Sequence, residues 1–172
     1  MVAVGASPRK EWQQPASPEG ASENTTMSYT WLKYHIVFST KERRPFLTPE
    51  LMPRLCEYLG GMIKTQGGHS IEINGPEDHI HIVASVSPTL ALADCLRDLK
   101  PNSTNWIHET FPGLRDFAWQ DGYSAFTVSP SVLSKVVQYV KNQQEHHKKV
   151  SFRDELAWLL KNHGIEFDEK YL

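Results

Sequence analysis

His69-Ser70-Ile71-Glu72-Ile73-Asn74-Gly75-Pro76-Glu77-Asp78-His79-Ile80-His81-Ile82-Val83-Ala84-Ser85-Val86 reads as a β-hairpin. His69–Asn74 is one strand, Gly75-Pro76-Glu77 the turn, and His79–Val86 the returning strand, rich in β-branched residues. Side chains alternate between the faces of a strand, so His79 and His81 share a face and Ile80 takes the other. A lone histidine in such a run is more often a satisfied core residue than a ligand. Two on one face cost burial energy unless they share a role. Spacing alone leaves both readings open, a core pair or a pair of metal ligands.

Working outward from the hairpin, the elements fall into an order. Trp31–Ser39 reads as a strand dense in aromatic and β-branched residues. Thr48 as cap and Pro49 at the first helical position predict a helix to about residue 66. Its apolar stripe is Leu51, Leu55, Tyr58, Leu59, Met62 and Ile63, and Gly67-Gly68 ends it. A second helix runs from Leu90 to about Asn105, with Pro101 expected to end or kink it. Ala118–Gln120 and Tyr123–Val128 read as two short strands split by Asp121-Gly122. Ser129-Pro130 opens a helix to about His147, and Phe152–Asn162 is a final helix stopped by Gly164. The order β-α-β-β-α-β followed by helices predicts an α+β protein with a ferredoxin-like core. Its antiparallel sheet should carry helices on one face, with C-terminal helices appended.

The second chemical motif is Tyr139-Val140-Lys141-Asn142-Gln143. On a helix, Tyr139 and Gln143 stand one turn apart, on the flank of a stripe formed by Leu133, Val136, Val137 and Val140. The plainer reading is an edge tyrosine completing the core. Tyr123 competes as a reactive tyrosine, but only Tyr139 has a potential ligand one helical turn away. A His-hydrophobe-His strand facing such a helix can hold a divalent cation on a phosphodiester and aim a phenol at its phosphorus.

The chain has 172 residues, enough for one domain with a real core. Its 40% hydrophobic and 22% charged content is that of an ordinary soluble globular protein. No apolar run approaches the roughly 18 residues of a membrane span, and no signal peptide opens the chain. Cys56 and Cys95 are too few and too scattered for a disulfide framework or a CxxC zinc site. These features point to a reduced, cytoplasmic protein. The net charge of −2 excludes a histone-like binder acting through bulk positive charge. Nucleic-acid contact must then use local basic clusters: Lys41, Arg43 and Arg44; Arg97 and Lys100; Lys141, Lys148 and Lys149. Each cluster alone is as well explained as solvated surface. Residues 1–26 are rich in Pro, Ser, Ala, Glu and Gly, and are expected to form a disordered leader or to precede a true start at Met27.

From Met27 onward the chain resembles the single-tyrosine transposases of the histidine-hydrophobe-histidine (HUH) endonuclease superfamily, which includes REP-associated tyrosine transposases. The resemblance rests on Tyr34-His35-Ile36-Val37-Phe38-Ser39-Thr40-Lys41, Asp78-His79-Ile80-His81, Trp106-Ile107-His108-Glu109, Trp119-Gln120-Asp121-Gly122-Tyr123 and Tyr139–Gln143, in the family's order and spacing. Asn105 departs from it, standing where relatives commonly carry a lysine, which puts one phosphate contact in doubt.

The resemblance implies a DNA transposase of insertion sequences that cuts and rejoins single-stranded DNA through Tyr139 and a 5′-phosphotyrosine link. It implies a divalent metal, Mg²⁺ or Mn²⁺, on His79, His81 and Gln143, with positions left open for water and phosphate. It also implies recognition of subterminal DNA hairpins, a homodimer whose active sites can be shared between chains, and a place in the bacterial cytoplasm at the nucleoid. The alternative is a domesticated hairpin-binding protein or nuclease acting on repeated genomic elements. His146 and His147 stay outside the ligand set, because a helix C-terminal turn explains cationic histidines through its dipole and phosphate contact. His35 and His108 carry no assigned chemistry, and Trp106, Trp119 and Phe126 are expected in the core.

Overall fold

The protein's structure, a computed structural model, describes residues 28–171; the expected leader over residues 1–26 lies outside them. Four strands form one sheet: β1 (Lys33–Ser39), β2 (His69–Asn74), β3 (His79–Ser85) and β4 (Ser124–Thr127). All neighbours are antiparallel, in the order β2-β3-β1-β4. With α1 (Leu51–Thr65) between β1 and β2, and α2 (Leu92–Thr110) between β3 and β4, this is the expected ferredoxin-like arrangement.

One face of the sheet is the main core. Ile36 and Phe38 of β1 and Ile80, Ile82 and Ala84 of β3 pack against Leu51, Leu55 and Leu59 of α1 and Leu96, Leu99 and Ile107 of α2. Thr48 caps α1 as its sequence implies, its hydroxyl accepting from Leu51 N–H at 3.2 Å. Pro101 does not end α2, which continues to Thr110. A mid-helix proline costs about 3 kcal/mol, yet Leu96, Leu99, Ser103 and Ile107 are all buried along the same side, and burying each large apolar side chain returns about 1.5–3 kcal/mol.

The opposite face is covered too, which the expectation of helices on a single face misses. Val37 of β1 and Phe126 of β4 pack against Phe152, Leu159 and Leu160 of α5 (Phe152–Asn162). An amphipathic α5 needs an apolar partner, and the odd-numbered side of β1 supplies one. Ser151 caps α5, accepting from Asp154 N–H at 3.2 Å.

Two further elements differ from the sequence reading. Ala118–Gln120 contributes only an isolated bridge, Thr40 to Trp119, rather than a strand. The helix expected over residues 129–147 starts at Leu133 and is broken at Asn142 into α3 (Leu133–Lys141) and α4 (Gln143–His146). Ser129 Oγ bonds Ser131 Oγ at 2.9 Å instead of capping a helix, and Asn142 sits at φ −96°, ψ 12°, outside helical geometry. Among the described residues no helix is long and apolar enough to cross a membrane.

Candidate active site

The site lies on the second face of the sheet, between β3 and the C-terminal helices. Strand periodicity places His79 and His81 there, and both side chains are fully buried. The turn before them is tight: a Cβ on Gly75 would sit 2.2 Å from the His79 carbonyl oxygen. Glycine is therefore required for Gly75 to pass over the backbone of His79. Neighbouring β1 brings His35, whose Nε2 is 2.9 Å from His81 Nδ1.

Helices α3 and α4 add the other two residues singled out by the sequence. The Tyr139 ring meets those of His35 and His81 edge-on, at centroid separations of 6.0 and 6.1 Å. Gln143, just past the Asn142 break, is fully buried. The structure thus brings Tyr139, His79, His81 and Gln143 into one cluster within a single chain.

At its centre stands a residue that the sequence reading passes over, Glu155 of α5. It is 2% exposed. One carboxylate oxygen, Oε1, accepts from the Tyr139 hydroxyl and from Gln143 Nε2, the latter at 3.0 Å. The other, Oε2, lies 3.0 Å from His147 Nε2, 3.3 Å from His81 Nε2 and 3.5 Å from His79 Nε2. A signal was available: Phe152, Glu155 and Leu159 share one helical face, so a carboxylate occupies a position where an apolar residue is expected. His147, kept outside the ligand set by the sequence reading as a helix-dipole residue, enters the cluster through the turn after α4. Together His79, His81, His147 and Glu155 form a group able to hold a metal ion.

Burial shapes the electrostatics. It lowers His81 to a pKa of about 4, against the opposing pull of Glu155. Burial also lowers His35 to about 3, reinforced by His81. Burial alone would lower His79 as well, but its bonds to Asp78 and Glu155 outweigh that and raise it. Desolvation would raise Glu155, yet the facing imidazoles of His147, His79 and His81 hold it well below the usual carboxylate range. Tyr139 is raised far above a free phenol, first by burial and then by the Glu155 carboxylate.

Among the described residues, His81 Nε2, Gln143 Oε1 and His146 Nε2 are buried without a hydrogen-bond partner. Unpaired buried acceptors are costly, and two of these belong to the residues expected to bind metal. Such a donor set fits a divalent cation. A groove of about 840 Å³ runs alongside, with Asp78 and His147 in its wall and Arg43 and Lys148 at its rim.

The remaining candidates are placed elsewhere. Tyr123 is 42% exposed. His108 Nε2 bonds the Phe117 carbonyl at 2.8 Å. Trp119 and Phe126 are core residues, and Trp106 stacks on Tyr58. Of the basic clusters, Arg44 pairs with Asp116, Arg97 with Asp94, and Lys148 with Glu145. Lys100 donates to the carbonyls of Gln120 and Gly122.

Residues 28–143 match the IS200-like transposase family. The transposase for insertion sequence element IS200 of Salmonella typhimurium is 30% identical over 122 residues, 67% of this chain and 79% of that protein. A solved candidate transposase from Deinococcus radiodurans R1 aligns with a TM-score of 0.57 and 25% identity, over 70% of this chain and 97% of that one. A REP-associated tyrosine transposase solved with a REP hairpin shares the fold, with a TM-score of 0.54 and 14% identity over 76% of each chain.

Proposed function

The chain belongs to the IS200-like transposase family, and from that premise we propose that it cleaves and rejoins single-stranded DNA with Tyr139 as nucleophile. The observation that carries this reading is the convergence of Tyr139, His79, His81 and Gln143 on one buried cluster. Tyr139 Oη bonds to phosphorus and the 3′ oxygen of the neighbouring nucleotide leaves, taking a proton from solvent. The phenolic proton passes to Glu155 Oε1, to which the hydroxyl already donates. The 5′-phosphotyrosine link keeps the bond energy for strand rejoining, so no external energy source is needed.

His79, His81 and Gln143 Oε1 would hold a divalent cation, which would supply Lewis-acid polarisation of the phosphodiester when bound. The chain's own groups hold and orient: Asp78 Oδ1 accepts from His79 Nδ1 at 2.7 Å and fixes its tautomer.

The substrate we infer is DNA with subterminal hairpins, a reading favoured by the hairpin bound to the fold-level neighbour. The groove beside His147 gives a strand access to the site, lined by Arg43 and by Lys148, whose exposed pair with Glu145 can exchange for a phosphate. We also propose a homodimer, because β2 and β4 are open sheet edges whose pairing removes an association liability. In this arrangement each site is complete within its own chain.

The test is incubation of the chain with single-stranded oligonucleotides from the element ends and Mn²⁺ or Mg²⁺. A covalent protein–DNA adduct that survives denaturing electrophoresis, and is absent with Tyr139→Phe, is the expected result. Adducts formed equally by Tyr139→Phe would defeat the assignment. Many identical copies flanked by hairpins mark a mobile element, whereas one copy beside dispersed repeats marks a domesticated nuclease.

A further inference from the structure

Resting on the metal reading above, we propose that Glu155 and His147 are additional ligands of the same ion, so that the C-terminal helix α5 completes the metal site. The Val150 carbonyl oxygen can only accept, so His147 Nδ1, 2.8 Å away, carries the ring proton and leaves a lone pair on Nε2. The Asp78 carboxylate accepts from His79 Nδ1–H in the same way, so a neutral His79 ring keeps its lone pair on Nε2. These two free ring nitrogens face each other at 3.0 Å.

Glu155 Oε2 lies 3.0 Å from His147 Nε2 and 3.5 Å from His79 Nε2. His81 turns Nδ1 to His35 and leaves Nε2, without a hydrogen-bond partner, 3.3 Å from the same oxygen. Four atoms able to supply electron pairs therefore converge within 4.8 Å of one another, and in the neutral rings of His147 and His79 the Nδ1 bonds leave Nε2 without a proton. Acceptors repel at such distances unless a proton or a cation lies among them. Separations of 3.0–3.5 Å are those of donors sharing one ion at bond lengths of about 2.0–2.2 Å.

The set has a chemical preference. Three imidazoles and one carboxylate suit a borderline transition metal such as Mn²⁺ better than Mg²⁺, which favours oxygen donors and keeps its waters. Glu155 also links the ion to the nucleophile, because its Oε1 holds the Tyr139 hydroxyl and the Gln143 amide.

The experiment is calorimetric titration of the full chain, stripped with chelator, using Mn²⁺ and Mg²⁺ without DNA. The variants are Glu155→Gln, His147→Ala and His81→Ala, each checked for folding by its thermal melt. Absorption of bound Co²⁺ gives a second readout of ligand change. The wild-type chain should bind one Mn²⁺, at least ten-fold more tightly than Mg²⁺. Glu155→Gln and His147→Ala should each weaken Mn²⁺ at least ten-fold and alter the Co²⁺ spectrum. Loss of binding in His81→Ala, with Glu155→Gln and His147→Ala inside two-fold of wild type, would overturn this inference and leave the underlying metal site standing. Undiminished binding in His81→Ala would overturn both. Should Glu155→Gln melt early, unchanged affinity and Co²⁺ spectrum in His147→Ala decide against the proposal.

Discussion

The Tyr139 hydroxyl donates its proton to a carboxylate oxygen of Glu155, sixteen residues further along the chain. That carboxylate ties the tyrosine of α3 to the histidine strand β3, through His81 Nε2 at 3.3 Å from its other oxygen. The bond also gives the phenol a proton acceptor in a site where burial strongly disfavours the free phenolate.

Tyr139→Phe removes the attacking oxygen and keeps the ring packing against His35 and His81. Glu155 Oε1 still accepts from Gln143, so the stability cost should stay near 1 kcal/mol. Adduct formation should disappear while hairpin affinity holds within a few-fold. Gel-shift and adduct assays run on the same preparation check both.

His79→Ala or His81→Ala should abolish metal-dependent cleavage, and Gln143→Ala should reduce it less. The imidazoles stand on a strand paired on both sides, whereas Gln143 follows the break at Asn142. Rates measured across a Mn²⁺ series separate lost affinity from lost turnover. Full activity of His81→Ala at saturating metal would rule out this ligand pair.

Gly75→Ala puts a Cβ 2.2 Å from the His79 carbonyl, so the hairpin must shift and His79 with it. Cleavage should fall at least ten-fold although Gly75 touches no reacting group, and the melting temperature should drop. Gly61→Ala is the control, since a Cβ there meets nothing within 4 Å.

The metal-free chain should lose stability in acid. His35 and His81 have folded pKa values of about 3 and about 4, below the 6.5 of an unfolded histidine. Their contribution is complete above pH 6.5 and is lost as pH falls from there towards 4 and 3, because the unfolded chain binds the extra protons. Glu155, lowered in the fold, adds a loss below the ordinary carboxylate range. His79 is raised and works the other way, its contribution fading as pH climbs. Below pH 6.5 the His79 contribution is already complete, so the two lowered histidines set the slope there. Melting temperatures in chelator should therefore decline from pH 6.5 to pH 5; a flat or rising profile would show these rings accessible to protons in the fold.

Mixing Tyr139→Phe with the His79→Ala/His81→Ala double variant distinguishes the two site arrangements. Sites complete within each chain keep a defect in every copy, so the mixture should stay inactive after subunit exchange. Recovered cleavage would mean that α3 crosses between chains and that active sites are shared.

The sequence by itself determined the order of the elements and both chemical motifs, because these depend on local periodicity. Alternation along β3 puts His79 and His81 on one face, and one helical turn separates Tyr139 from Gln143. Neither period can say what lies opposite. Glu155 and His147 join the site only because α5 packs Phe152, Leu159 and Leu160 against Val37 and Phe126 on the second face of the sheet. Packing on the first face overrules a local signal too: burial of Leu96, Leu99 and Ile107 carries α2 through Pro101, while α3 stops at Asn142 and Gln143 begins a new turn. A buried carboxylate among histidines is a relation between residues distant in sequence, and only the tertiary fold, by removing water from around it, gives it its strength.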